Sequence, residues 1–221
     1  MEASDRQFLS ASTSKLGLDL EPAHLDRLCL YEAAVRLWNR RMNLVSAGDE
    51  GILMGRHLLD SLTLAPLLTG QKKRLFDLGS GAGFPGIPLK IVKETWDVIL
   101  VEASRKRASF LKEAVRTLQL PGVTVVRARA EDLLNDDRYR ASADWVVSRA
   151  AFKLPDLLRL ASPLLKPGGQ LAAPKGFVPE EEWSGANKIA NNLGMLLHNP
   201  PEGDPEDANR LRKIVVYKKS F

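Results

Sequence analysis

Cysteine is nearly absent from this sequence. Cys29 is the only one and falls inside an apolar periodic stretch, so no intrachain disulfide can form and a core thiol in a reducing compartment is expected. Three widely scattered histidines and one cysteine show no structural-zinc spacing, so no metal is expected. No stretch approaches the roughly 18 consecutive apolar residues that a membrane helix requires, and Met1 to Leu9 alternates acidic, basic and polar types. This argues against secretion and membrane insertion and for a cytoplasmic protein. Aromatic residues make up only 6% of the chain, and none form the aromatic-rich platform of RNA-recognition modules. Any RNA would have to be recognised by shape and local base extrusion. Internal repeats, low-complexity blocks and obvious linkers are also missing.

What is present is ordinary globular composition, with 44% apolar and 27% charged residues. At 221 residues the chain is long for one compact domain and short for two, so a single core with a helical extension is expected. Thirty-two Lys and Arg against 27 Asp and Glu leave a formal charge of +5, which favours polyanionic partners.

From Leu25, the apolar positions Leu28, Tyr31, Val35, Trp38 and Met42 recur at helical spacing, and a similar run extends from Ile52 to Leu68. Residues 1–70 therefore read as a helical cap and 71–221 as a separate core within one compact unit. After Leu75 the texture changes to short apolar runs separated by amphipathic stretches, as in parallel strands with crossover helices. Strands are expected at Arg74–Leu78, Asp97–Val101, Val123–Arg127, Asp144–Val147, Gly169–Ala173 and Leu211–Tyr217. Phe110, Leu111, Ala114, Val115 and Leu118 mark a helix after the second strand, and Leu154, Leu157, Leu158, Ala161 and Leu165 one after the fourth. The alternation implies an α/β, doubly wound open sheet. Pro167, Gly168 and Gly169 are expected to stop that second helix before the fifth strand. Pro200, Pro201, Gly203 and Pro205 indicate a surface loop.

Asp77-Leu-Gly-Ser-Gly-Ala-Gly-Phe-Pro-Gly86 follows a strand and precedes a helical run, the context a nucleotide-binding loop requires. Gly81, Gly83 and Gly86 formally match the dinucleotide fingerprint, whereas Asp77, Gly79, Gly81 and Gly83 match the methyltransferase pattern. Asp77 favours the second, because an acid there is poorly placed beside a pyrophosphate yet suits a ligand with an amino-acid end. S-adenosylmethionine is such a ligand. Glu102 ends the second strand, 21 residues beyond Gly81, where its carboxylate could accept from both ribose hydroxyls or serve the next helix as an N-cap or first-turn acid. Ala130 and Glu131 follow the third strand and could read an adenine, or simply begin a solvated helix. Arg149 closes the fourth strand on the carboxyl edge where open sheets bind ligands. His57 and Asp60, three apart, read as a structural pair within the cap. Lys175, ending the fifth strand, is a candidate for substrate phosphate or a guanine carbonyl. The basic clusters Arg36 to Arg41, Lys72 to Arg74 and Arg105 to Arg107 could follow RNA phosphates or be solvated faces.

Together with Asn43-Leu44, Arg56-His-Leu-Leu-Asp-Ser61, Lys106-Arg107 and Lys175-Gly176, these residues resemble the RsmG/GidB family, the guanine-N7 methyltransferases of 16S ribosomal RNA. The resemblance runs from about Leu25 to Gly176. It implies a seven-stranded, Rossmann-like class I methyltransferase sheet with an N-terminal helical extension, and hence one more strand near Leu193 to His198. It also implies cofactor contacts at Gly79, Phe84, Ala130, Glu131 and Arg149, S-adenosyl-L-methionine as cofactor, and 16S ribosomal RNA or a small-subunit precursor as partner; a monomer is expected. No catalytic residue is assigned, because guanine N7 carries a lone pair and no proton. A small-molecule methyltransferase, an NAD-dependent oxidoreductase and a non-catalytic RNA-binding assembly factor are the competing functions. Asn199-Pro-Pro-Glu202 superficially matches an adenine-methylating motif, but it does not follow the fourth strand and lacks the aromatic residue.

Overall fold

A strand covered on both faces must be apolar on both, and successive side chains of a strand point to opposite faces. In β1 (Arg74–Leu78), Leu75 enters one buried cluster while Phe76 and Leu78 enter another. β2 (Asp97–Val101), β3 (Val123–Val126), β4 (Ala143–Val147) and β5 (Leu165–Lys175) continue the parallel sheet in the computed structural model, which describes residues 3–45, 57–176, 178–199 and 213–220. β6 (Met195–Asn199) is the edge strand, and β7 (Lys213–Lys219) lies antiparallel between β5 and β6. The order is β3-β2-β1-β4-β5-β7-β6, a seven-stranded Rossmann-like sheet. β6 falls where the family resemblance required a strand.

The described part of the N-terminal extension carries three helices, α1 (Ala3–Ser14), α2 (Pro22–Met42) and the short α3 (Asp60–Leu62). Pro22 starts α2 where a missing N–H costs nothing, and Asn43 ends it in the left-handed region at φ 48°. Leu28, Tyr31 and Val35 are buried from its inner face, each such side chain contributing about 1.5–3 kcal/mol. The described part of the run expected to be helical from Ile52 to Leu68 keeps helical turns only from His57 to Leu62. Residues 46–56 lie outside the described set, and beyond α3 the chain passes through turns to Leu68. Pro66 supplies no N–H, and the Ser61 and Thr63 hydroxyls donate to the carbonyls of His57 and Asp60, competing with regular helix. The apolar pattern survives as burial of Leu58, Leu62, Leu64, Ala65 and Leu68.

α4 (Gly86–Val92) and α5 (Arg105–Thr117) cover the same sheet face as α2, in one continuous apolar cluster. α6 (Leu154–Leu164), α7 (Glu180–Asn192) and a 3-10 turn at Ala130–Asn135 cover the other. Cys29 is half-buried on α2 rather than in the core. Pro167, Gly168 and Gly169 do not separate α6 from its strand as expected. Leu165 already pairs with Ala143, and the three residues bulge out before pairing resumes at Trp145 and Gln170. The expected Leu211 start of the last strand and the loop at Pro200, Pro201, Gly203 and Pro205 lie outside the described residues. Among the described residues, no helix is long and apolar enough to cross a membrane.

β1 and β4 are neighbours whose onward connections leave in opposite directions, towards β2 and towards β5. Their carboxyl ends form the switch-point crevice where open α/β sheets bind ligands.

Candidate functional site

The loop from Asp77 to Gly86 leaves β1 at that switch point. Gly79 and Ser80 donate their amides to the Val101 carbonyl, at 2.9 and 3.0 Å, which lays the loop across the end of β2. Gly81 has φ +58°, and a Cβ there would meet nothing nearer than the Gly79 carbonyl at 3.9 Å. The surface above this turn is open to a ligand approaching the backbone. Gly79 is constrained instead by its own chain, since a Cβ would lie 2.6 Å from that of Ala151.

Asp77 is fully buried beneath the loop. Its Oδ2 accepts the Gly86 amide at 2.9 Å, which ties β1 to the start of α4, while Oδ1 has no hydrogen-bond partner. Burial pushes this carboxyl up to about 7, opposed by the Gly86 amide, the Arg149 charge and the Ser80 hydroxyl, which in the structure donates to the Asp77 backbone carbonyl at 2.9 Å. A buried acceptor without a donor is costly, so Oδ1 is a vacant position for a cationic or N–H donor.

Glu102 is also buried, with Oε2 accepting the Gly81 amide at 2.9 Å and Oε1 the Ser104 amide at 2.8 Å. It therefore braces the glycine turn, and Ser104, not Glu102, caps α5. A carboxylate offers about four lone-pair positions, so two remain for hydroxyl donors. Ala130 is buried and Glu131 exposed at the first two positions of the 3-10 turn after β3. The donor and acceptor set fits an adenosyl amino acid: an open turn, an acceptor beneath it, and acids following β2 and β3.

Arg149 follows β4 with its side chain only 9% exposed. Its Nη2 lies 2.8 Å from His57 Nδ1, its Nη1 lies 3.6 Å from Asp60 Oδ2, and its guanidinium carbon lies 5.2 Å from the centre of the Phe84 ring. His57 also stacks on Phe84, with ring centres 5.2 Å apart. His57 and Asp60 were expected to form a structural pair inside the cap; both reach across to the core. Tyr31, on the buried face of α2, also reaches the loop: its hydroxyl donates to the Ala82 carbonyl at 2.6 Å and its ring meets Phe84 at 5.2 Å. The sequence marks Tyr31 only as a polar hydroxyl in an apolar stripe. Nothing local announces a partner 51 residues away.

Lys175 is neither a surface lysine nor aimed at open space. Its Nζ donates to the Phe152 carbonyl at 2.7 Å and lies 3.6 Å from Glu182. The basic clusters separate. Lys72 to Arg74 stands at the amino end of β1, roughly 17 Å from the crevice at ~3.3 Å per residue. There Lys73 Nζ and the Arg74 amide are both engaged by Asp144, at 3.3 and 2.9 Å. Arg36 pairs with Glu32, leaving Arg40 and Arg41 exposed on α2. Arg105, Lys106 and Arg107 are exposed in the first turn of α5, on the carboxyl edge beside the site. Among the described residues, no group of three or more His, Cys, Asp and Glu gathers to hold a metal.

A family model described as rRNA small subunit methyltransferase G matches residues 24–203. The ribosomal RNA small subunit methyltransferase G of Geobacter sp. (strain M21) is 43% identical over 195 residues, covering 88% of each chain. That of Roseiflexus castenholzii is 43% identical over 214 residues, covering 96% of this chain and 90% of the relative. Among solved structures, TYW2 of M. jannaschii in complex with AdoMet aligns with a TM-score of 0.58 at 17% identity, over 81% of this chain and 78% of that one. Precorrin-6y C5,15-methyltransferase of Geobacter metallireducens aligns at 0.53 and 16% identity, over 73% and 87%. At these identities the structural matches carry the fold alone.

Proposed function

The chain belongs to the rRNA small subunit methyltransferase G family, and from that premise we propose that it transfers the methyl group of S-adenosylmethionine to N7 of a guanine in 16S ribosomal RNA. The observation that carries the cofactor assignment is the open Gly81 turn in the same loop that covers a buried Asp77 whose Oδ1 lacks a donor, at the switch point of the sheet. The bound cofactor supplies an electrophilic methyl carried on a sulfonium sulfur. Asp77 receives the ammonium of its amino-acid end, Glu102 the ribose hydroxyls, and Ala130 with Glu131 the adenine. Gly81 allows the backbone to close against it, Gly79 contributes a backbone contact at the start of the same turn, and Phe84 walls the site beside Arg149.

N7 of guanine has a free lone pair, so methyl transfer needs no general base. The chain's residues must supply alignment and a grip on the polar edge of the base. Arg149 is proposed as that grip as well as a cofactor contact. Lys175 is a second candidate, reachable only by leaving Phe152 and Glu182. His57 is ill suited to proton abstraction through Nδ1, since that nitrogen already faces a guanidinium, which only donates. Residues 1–70 are proposed as a cap that seats this site and 71–221 as the core that holds the cofactor, working in the cytoplasm as a monomer on ribosomal RNA or a small-subunit precursor. Comparing methyl groups on ribosomal RNA from cells with and without the protein tests this assignment. One guanine should lose its N7 methyl when the protein is absent, and an unchanged map would refute it.

A further inference from the structure

Arg149 meets its polar partners far away in the sequence: the contact with His57 spans 92 positions and joins the end of β4 to the helical cap. A guanidinium has no acceptor, so His57 Nδ1 must accept and its ring proton must sit on Nε2. The His57 ring lies on Phe84 at an interplanar angle of 28°, and Arg149 lies over the same ring. Asp60 contributes the opposite charge at 3.6 Å. His57, Asp60 and Phe84 are 8%, 6% and 4% exposed, so this cation is held in a largely dry setting. There a planar fork is oriented by whichever directional acceptors surround it.

We propose that His57 and Asp60 are positioning residues of the methyl-transfer site, acting through Arg149. From the cap they set the orientation of its guanidinium against Phe84, so the cation of the site is aimed only when the cap is seated. Asp60 supplies the charge that retains the cation and His57 the direction. Losing either acceptor removes one of the directional contacts that fix the guanidinium's rotamer, and the alignment that drives transfer to an unprotonated nitrogen suffers. The inference rests on the role assigned to Arg149 in the proposed function.

A double-mutant cycle tests it, read in S-adenosylmethionine affinity by calorimetry and in the single-turnover rate on 16S ribosomal RNA. His57→Phe keeps a ring on Phe84 and removes the acceptor. It should lower affinity or rate by about tenfold, as Arg149→Gln should also do, and should cost less than about twofold more on the Arg149→Gln background. His57→Asn, whose carbonyl oxygen can stand near the position of Nδ1, should recover most of the loss. Nitrogen-15 NMR of His57 should show an unprotonated, hydrogen-bonded Nδ1 whose signal shifts in Arg149→Gln. Should His57→Phe fail to fold, the isosteric Asp60→Asn carries the same cycle. Losses that multiply in the double variant, or a folded His57→Phe with parental affinity and rate, would overturn the proposal. A parent protein that binds the cofactor but leaves ribosomal RNA unmodified would refute the substrate assignment instead, and the affinity cycle would still decide the coupling.

Discussion

Replacing Asp77 by Asn should weaken S-adenosylmethionine binding by roughly 10- to 150-fold without unfolding the protein. Asn has the same shape and retains an oxygen for the Gly86 amide, which Asp77 Oδ2 now accepts at 2.9 Å. What disappears is the negative charge offered by the donorless Oδ1. A hydrogen bond to a charged group contributes about 1.5–3 kcal/mol, which gives the stated range. The same burial that pushes Asp77 to about 7 fixes the pH dependence. Its folded value stands above the unfolded one of about 3.9, so the folded state holds the proton more tightly. The contribution to stability is therefore greatest below about pH 4, falls as pH rises to about 7, and is constant beyond. The Asn variant lacks this slope and should gain stability relative to the parent at about pH 8. Cofactor binding has the opposite dependence: a cationic ligand needs the ionised carboxylate, so parental affinity should fall by up to about tenfold per pH unit below about 7, with proton release on binding. Calorimetry in buffers of different ionisation enthalpy, at about pH 6 and about pH 8, measures both effects. A variant with parental affinity, or a parent whose affinity is the same at both pH values, would refute the placement of Asp77 under the cofactor.

Gly81→Val should abolish cofactor binding by filling the open space above the turn, while a φ of +58° costs a branched residue about 1–2 kcal/mol and leaves the folded circular dichroism intact. Parental affinity in that variant would remove the turn from the site. Tyr31→Phe, which deletes the 2.6 Å bond to Ala82, should cost about 1 kcal/mol in urea unfolding and loosen the cofactor. Charge-neutral replacement of Arg105, Lys106 and Arg107 should flatten the salt dependence of RNA binding by about 0.7–0.9 log units for each phosphate no longer neutralised, sparing cofactor affinity. The same change at Lys72 and Lys73, on the opposite edge, should leave the slope unaltered.

Much of this fold was legible because its signals are local. Short apolar runs marked β1, β2 and β4 to within a residue, and the loop from Asp77 to Gly86 announced itself through the strand before it and the helical run after it. β6 was invisible to propensity: Leu193 to His198 is a short edge segment with a glycine and no clean alternation, and only the family resemblance required it. The Pro167-Gly168-Gly169 bulge was misread because helix-stop chemistry and bulge chemistry use the same residues, and only pairing with Ala143 distinguishes them. Asp77, Glu102 and Arg149 stand together on the carboxyl edge at the candidate site because strand ends on one edge converge by topology. Their actual partners were not legible. Glu102 gripping the Gly81 amide, Lys175 turned to Phe152, and His57 with Asp60 reaching Arg149 are tertiary contacts that no local spacing encodes.

The chemical claim is that the acceptor carries no proton. Purified protein should be incubated with 16S ribosomal RNA and methyl-labelled S-adenosylmethionine at saturating cofactor, across mildly acidic to mildly basic pH, and the labelled nucleoside identified. The expected product is 7-methylguanosine, revealed by strand cleavage after borohydride and aniline, formed in a single turnover at a rate nearly independent of pH. A methyl group on an exocyclic amine or a ribose hydroxyl would contradict it, as would a rate that requires a titrating base.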